Sequence, residues 1–315
     1  MPLSKLQFKP GINREGTNYS NEGGWFDGDK IRFRNGLPER IGGWTRVSNT
    51  QITGTPRKIF DFVTLSSQNL LFIGTEQKVF LENAGTFNDI TPIRSTVSLG
   101  TNPVNTTGGA GSGVVTITTQ AAHGAIAGDF VTLASLTTTD GITAAQLNIE
   151  HKITSVPSTT TFTITTAGSA TSGSTAGGGS SGTAAFQLNI GLNTTVLGSG
   201  WGAGTWGRFT WGSAAGSLSG QTLRLWSADN FGEDLIFNIA DSTIYYWDAT
   251  NGTSTRAVEL SSLTGASDVP IKARKILVSD VDRHCIAFGT TPIGSAILDP
   301  LLIRFSSQEE PQNWT

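Results

Sequence analysis

Apolar positions along this chain recur mostly at a period of two, in short runs broken by Gly, Asn, Asp, Ser and Pro. That spacing predicts half-buried strands joined by tight turns. Lys30-Ile-Arg-Phe-Arg34 alternates basic and apolar residues, so it reads as a strand with one charged face. Asn35-Gly36 follows, a strong two-residue hairpin signal, and Leu37-Pro-Glu-Arg-Ile41 supplies the return strand. Upstream and around this hairpin the chain is extended, glycine-punctuated and loop-rich.

A repeat then emerges. Arg57-Lys-Ile-Phe-Asp-Phe-Val63, a turn and Leu70-Leu-Phe-Ile-Gly-Thr75 resemble Arg274-Lys-Ile-Leu-Val278, a turn and Cys285-Ile-Ala-Phe-Gly-Thr290. In each copy a basic pair precedes an apolar strand, and a second, wholly apolar strand ends in Gly-Thr. A looser copy lies between them: Leu223-Arg-Leu-Trp226, Leu235-Ile-Phe-Asn-Ile239, Thr243-Ile-Tyr-Tyr-Trp247 and Ala257-Val-Glu-Leu260. Three or four strands in roughly 40 residues is the size of one propeller blade. An inner strand apolar throughout suits a sheet buried on both faces. The expected fold is all-β, a β-propeller-like platform, with an ordinary antiparallel meander or sandwich as the alternative.

The middle of the chain reads as an insertion. Val114–Thr118, Asp129–Leu133, His151–Val156 and Thr161–Thr165 predict short strands between two low-complexity seams, Asn102–Gly113 and Ala167–Gly182. Gly177-Gly-Gly-Ser-Ser-Gly182 has the composition of a flexible linker or long loop. The expected organisation is therefore an extended segment with the first blade or blades over 1–99, an inserted small β-barrel or β-sandwich over 100–186, and the remaining blades over 187–315.

Composition sharpens this picture. Charged residues are only 14% of the chain and 39 positions are Gly, which disfavours long surface helices. The formal net charge of −3 gives no overall attraction to nucleic acid. Charge is uneven, however: ten of the 21 Lys and Arg precede Ile59, while the stretch from Leu99 to Phe186 holds only Lys152. The single cysteine, Cys285, lies in an apolar run and excludes an intrachain disulfide. No run approaches the roughly 18 apolar residues of a membrane span, and the start lacks the apolar core of a secretory signal. Synthesis in a cytoplasm without stable membrane insertion is the expectation.

Candidate chemistry is sparse, and no catalytic, cofactor or metal site is expected. His123, His151 and Glu150 would have to converge from distant positions to hold a metal, and a turn or edge role is the simpler expectation. His284, beside Asp282 and Arg283, reads as a solvated hairpin tip. Asp229, Glu233 and Asp234 cluster in Ser227-Ala-Asp-Asn-Phe-Gly-Glu-Asp234, faintly similar to the Asp-box hairpins of sialidases but with Gly one residue late and the Trp missing. A hairpin turn is the better reading. Gly200-x-Gly-x-Gly has no following helix or suitably placed Lys for a phosphate loop. Trp201, Trp206 and Trp211, spaced by five among glycines, form a loop that either docks on another subunit or folds back on its own blades.

Several segments together resemble one family. These are Pro10-Gly-Ile-Asn13, Gly23-Gly-Trp-Phe-Asp-Gly-Asp-Lys-Ile-Arg-Phe33, Pro38-Glu-Arg-Ile-Gly-Gly-Trp44, Ser227–Leu235, Ile244-Tyr-Tyr-Trp-Asp248 and Phe305-Ser-Ser-Gln-Glu-Glu-Pro-Gln-Asn-Trp314. They are similar to the nozzle, or packaged-DNA stabilisation, proteins of short-tailed phages, whose Ser-x-Gln-x-x-Pro-x-x-Trp signature the last segment approaches. The inserted segment separately resembles β-modules of phage tail and fibre proteins, notably in Ala122–Val131 and Asn148–His151. In the nozzle family further strands follow the Pro-x-x-Trp segment, whereas here it closes the sequence. The residues outside the insertion suffice for roughly five blades.

The resemblance implies a non-enzymatic virion protein at the distal tail. Six copies would form a ring on the tail tube or adaptor protein, neighbouring tail fibres. Genomic double-stranded DNA would pass through it without sequence-specific binding. Lys30, Arg32 and Arg34 would then pair with acidic groups of a neighbouring tail protein, or else form a solvated strand face. The alternative function is a receptor- or glycan-binding tail component whose Trp201, Trp206 and Trp211 stack on sugars.

Overall fold

The computed structural model describes residues 8–17, 19–43, 45, 46, 48–194 and 223–315. The protein is all-β apart from single helical turns, and it divides into two compact units, Met1–Asn49 and Thr50–Thr315. In the first unit, strands Ile31–Arg34 and Leu37–Arg40 pair antiparallel with Ile31 opposite Arg40. Asn35 (φ 51°) and Gly36 (φ 81°) make the turn, both left-handed as a two-residue hairpin turn requires. Phe8, Trp25 and Phe33 pack in series with ring centroids 5.7 and 6.3 Å apart, and Ile12 bridges Trp25.

The second unit contains three antiparallel meanders packed one on the next. The first comprises Pro56–Val63, Asn69–Thr75, Val79–Asn83 and Thr86–Asp89. The second comprises Trp226–Phe231, Asp234–Ile239, Ile244–Trp247 and Val258–Glu259, and the third Ala273–Val278, Cys285–Thr290 and Asp299–Phe305. The leading strands of consecutive meanders adjoin one another. One core lies between the first two sheets, around Phe62, Phe72, Leu81, Trp226, Phe237 and Trp247. Another lies between the second and third, around Phe231, Ile236, Ile244, Ile276, Cys285 and Trp314.

The middle sheet explains why its inner strand is apolar throughout. Leu235 and Phe237 enter the first core while Ile236, between them, enters the second. Tyr245 and Trp247 likewise face the first core, and Ile244 the second. A strand buried on both faces has no position that favours a polar side chain. This serial stacking is how propeller blades pack, but the described residues contain three such sheets and not a closed ring.

The sequence repeat does not carry over to faces. Lys58 opposes Gly74, with an irregularity just before it, whereas Lys275 opposes Phe288. A one-residue slip sends alternate side chains to the other face. Ile59 is therefore 58% exposed while its sequence counterpart Ile276 is 2% exposed.

Between the first and second meanders the chain builds an eight-stranded antiparallel sheet. Its spatial order is Ala176–Gly177, Val104–Asn105, Val114–Thr118, Thr161–Thr165, Glu150–Ser158, Phe130–Ala134, Gly182–Gln187 and Ile93–Gly100. Strand Ile93–Gly100 thus joins the inserted sheet ahead of residue 100. Register shifts within Glu150–Ser158 interrupt its ladder with Thr161–Thr165, and β-bulges of this kind bend and twist a strand. Side chains from both ends of the order, Val104 and Leu99, meet Phe162, Ile164 and Phe186 in one core, so the sheet curls over itself. Its first and last strands do not pair with each other among the described residues, so it is not a closed barrel.

The low-complexity seams are structured. The Asp140 carboxylate accepts hydrogen bonds from Thr106 Oγ1 (2.8 Å), Ser172 N (2.9 Å), Ser172 Oγ (2.8 Å) and Gly173 N (2.7 Å). The Ser172 bonds, with those from Thr106 and Gly173, hold this carboxyl well below the usual carboxylate range. One acid side chain thereby fixes two loops whose composition alone reads as a linker.

Candidate functional site

Among the described residues, one polar constellation joins the first meander, the inserted sheet and the second meander. Lys78 directly precedes strand Val79–Asn83, and its side chain is only 6% exposed. Its Nζ donates to Asp89 Oδ2 at 2.8 Å and to Glu150 of the inserted sheet, and lies 4.4 Å from the Phe130 ring centroid. Arg256, just ahead of Val258–Glu259, reaches Asp89 Oδ2 at 3.2 Å, Glu150 Oε2 at 3.5 Å and the Thr91 carbonyl at 2.7 Å. Gln187 Nε2 also donates to Glu150.

Two cations thus meet two carboxylates. Burial alone would raise the Asp89 carboxyl, but the Arg256 and Lys78 charges outweigh it and hold Asp89 below its ordinary value. A neutral, mutually bonded set of this kind clamps elements together and leaves no free nucleophile or base.

A second constellation staples the second meander to the third. The strand Ala273–Val278 is an edge of its own sheet, so its outward N–H groups need acceptors. Ser227 Oγ accepts from Ile276 N at 3.0 Å and donates to Asn238 Oδ1, and Asp229 Oδ2 accepts from Val278 N at 2.9 Å. Asn238 Nδ2 donates to the Ala273 carbonyl at 2.7 Å. Toward the first meander, Trp226 Nε1 donates to the Thr75 carbonyl at 2.9 Å. The Trp226 indole covers Gly74 so closely that a Cβ there would lie 2.6 Å from Cδ1. Gly-Thr is a packing requirement at this junction.

All three acidic residues of the segment similar to an Asp-box are engaged structurally. Besides Asp229, Glu233 Oε2 accepts from Leu65 N at 3.3 Å, and Asp234 accepts from Tyr246 OH and from Ala249 N at 2.9 Å. Burial raises the Asp234 carboxyl, and burial with the Asp234 bond raises the Tyr246 phenol. The segment is a hairpin whose Phe231 and Asp234 flank a two-residue turn.

The histidines are packing groups. His123 stacks on Phe186 at 5.3 Å and its Nδ1 accepts from Ala125 N at 3.0 Å. His151 bonds the Leu147 carbonyl through Nε2 at 3.0 Å. Burial lowers both rings' proton affinity. His284 is half-buried rather than solvated, with Nδ1 2.7 Å from the Ser306 carbonyl and the ring edge-on to Phe305. Cys285 is fully buried, and desolvation pushes its thiol up. Among the described residues no group of three or more His, Cys, Asp and Glu is placed to hold a metal ion.

Of the interface residues expected from the sequence, Arg32 makes a two-pronged pair with Glu39 across its own hairpin, at 3.2 and 3.3 Å. Lys30 and Arg34 are exposed on the same hairpin. Trp201, Trp206 and Trp211 lie outside the described residues. Sequence reasoning missed the Lys78–Asp89–Glu150–Arg256 clamp; the one signal for it was Lys78, a lone charge heading an apolar strand.

The closing segment folds as a cap on the third meander. Ser306, Pro311 and Trp314 are buried, while Gln308, Glu309 and Glu310 are exposed. Ser306 Oγ accepts from Cys285 N at 2.9 Å, Trp314 Nε1 donates to the Pro311 carbonyl at 2.7 Å, and the Arg304 guanidinium lies 5.9 Å from the Trp314 ring centroid.

No family model and no curated protein matches the chain. Among solved structures it is similar to phage phi92 endosialidase, at 15% identity over 89% of this chain and 39% of that one, with a TM-score of 0.26. The chain thus spans about two fifths of that protein, and the overlay is too loose to transfer fold or activity. The nozzle-family resemblance accordingly rests on sequence motifs alone.

Proposed function

We propose that this chain is a structural protein of a short-tailed phage virion, built into the distal tail as part of the nozzle through which DNA leaves. What supports the reading most is the closing cap: the Ser, Pro and Trp positions of the family-like signature are the ones buried against the third meander. Of the acidic residues that resemble catalytic ones, Asp229 and Glu233 bond the neighbouring meanders and Asp234 its own, which favours a load-bearing role over hydrolysis. In this reading copies of the chain assemble into a ring, six by analogy with the family, on the tail tube or adaptor protein. DNA passes the ring without sequence readout, and a net charge of −3 suits a conduit that must not hold phosphates.

The test is immunogold electron microscopy of intact particles with an antibody to residues 100–186. Label confined to the distal tip of a short tail supports the nozzle. Label on peripheral fibres moves a receptor-binding role forward, and absence from virions sinks both.

A further inference from the structure

Among the described residues of Thr50–Thr315, the outer face of the third meander is exposed apolar surface, and that of the first is exposed along its leading strand. Within the chain, the second meander receives the inner face of the first on one side and of the third on the other. On the third meander the far face carries Leu277, Ile286, Phe288, Ile303 and Phe305, placed side by side by register: Leu277 opposite Ile286 opposite Phe305, and Phe288 opposite Ile303. Phe305 is 65% exposed, Ile303 56% and Leu277 45%. On the first meander Phe60 and Phe62 turn inward, and the alternate positions Ile59, Asp61 and Val63 of the leading strand turn outward and are exposed, whereas Ile73 and Phe80 farther along the same face are buried. Contiguous exposed apolar surface on a sheet marks an interaction site.

We infer that these two surfaces bind each other in trans, the exposed face of the third meander of one copy covering the exposed leading-strand stripe of the first meander of the next. Charge complementarity selects this occupant. Lys275 is an exposed cation on the third-meander face, in register with Phe288, and Asp61 is an exposed anion on the first-meander face, in register with Leu71. Neither has an ion-pair partner among the described residues. A symmetric contact of either face with itself would set like charges together in an apolar setting, whereas the head-to-tail contact pairs opposite ones. Each added copy extends the stacking of leading strands already used twice inside the chain. A head-to-tail contact between unlike faces propagates, closing into a ring or running on as a filament. The inference deepens the ring assembly of the proposed function by naming its surfaces, and rests on that reading only for the biological setting.

The test uses the full chain and two variants, Ile303→Glu with Phe305→Glu, and Ile59→Glu with Val63→Glu. All four positions are exposed, so circular dichroism and melting should match the parent. Sedimentation velocity should show the parent assembled, each variant alone monomeric, and an equimolar mixture forming a 1:1 dimer, since each variant keeps the face the other has lost. Lys275→Glu or Asp61→Lys should weaken assembly, and the two combined should restore it. A monomeric parent overturns the inference. So does a variant that alone forms a stable dimer, which would mean a symmetric contact. A parent whose assembly neither variant changes leaves ring formation intact but rejects these faces, and tip labelling of virions is unaffected by any of these outcomes.

Discussion

Replacing Lys78 with Met keeps the length of the side chain and removes its charge. The Lys78 side chain is 6% exposed, whereas its partners Asp89 and Glu150 are 21% and 33% exposed. Removing one member of a buried ion cluster costs about 3–5 kcal/mol when the partner is stranded. Here Arg256 remains against both carboxylates and water reaches each of them in part. The expected loss is therefore reduced to about 2 kcal/mol, a drop of roughly 4–8 °C in Tm for a unit of this size.

The informative measurement is a double-mutant cycle with Glu150→Gln, read by urea unfolding. The two side chains touch across 72 positions of sequence, so a coupling of at least about 1 kcal/mol is expected. Effects that add to within about 0.5 kcal/mol would refute the clamp. The acid limb gives a second check. Asp89 titrates below its ordinary value in the folded state, so its contribution is present above the unfolded value and lost as pH falls through the folded one. Without Lys78 the folded value moves back toward the unfolded one, so that loss should shrink and be complete at higher pH.

Asp229→Ala should cost about 1.5–3 kcal/mol, the range for a hydrogen bond to a charged group. Because Asp229 Oδ2 holds Val278 N, amide exchange at Val278 should rise with it; an unchanged exchange rate would separate Asp229 from the sheet junction. Gly74→Ala drives a methyl into the Trp226 indole and should lower stability by about 1–3 kcal/mol, as overpacking does; a neutral variant would mean the junction is slack. His123 and His151 are held neutral by burial, so the unfolded chain binds more protons than the folded one below about pH 6.5. Stability should fall as pH drops from there toward 5, before most carboxylates titrate, and His151→Gln should flatten part of that slope. Asp129 and Asp234, both raised by burial, oppose the fall at its acid end.

Much of the architecture was legible because local signals agreed with burial. Asn35-Gly36 dictated a two-residue turn, and it makes one. The unbroken apolar run of Leu235-Ile-Phe237 predicted burial on both faces, which the two flanking cores provide. Composition misled at the seams, because Gly and Ser describe a chain's freedom before folding and not the acceptor that later fixes it. Asp140 lies 32 residues from Ser172, beyond any local pattern. The face slip between Ile59 and Ile276 was equally invisible: an irregularity near Pro56 reverses the phase without altering the residues that follow.

The site was less legible for a reason that applies to both constellations. A clamp built from Lys78, Glu150 and Arg256 exists only after three elements dock, and no two of its members from different elements are neighbours in sequence. The acidic hairpin shows the converse. Asp229, Glu233 and Asp234 cluster in sequence as catalytic carboxylates do, yet each meets a backbone N–H from a different place, at Val278, Leu65 and Ala249. Proximity along the chain says nothing about where the acceptor oxygens point. An edge strand such as Ala273–Val278 must have its outward donors satisfied, and a short acid on the adjoining sheet does so with one side chain. That requirement accounts for Asp229, while Glu233 and Asp234 answer backbone donors at Leu65 and Ala249.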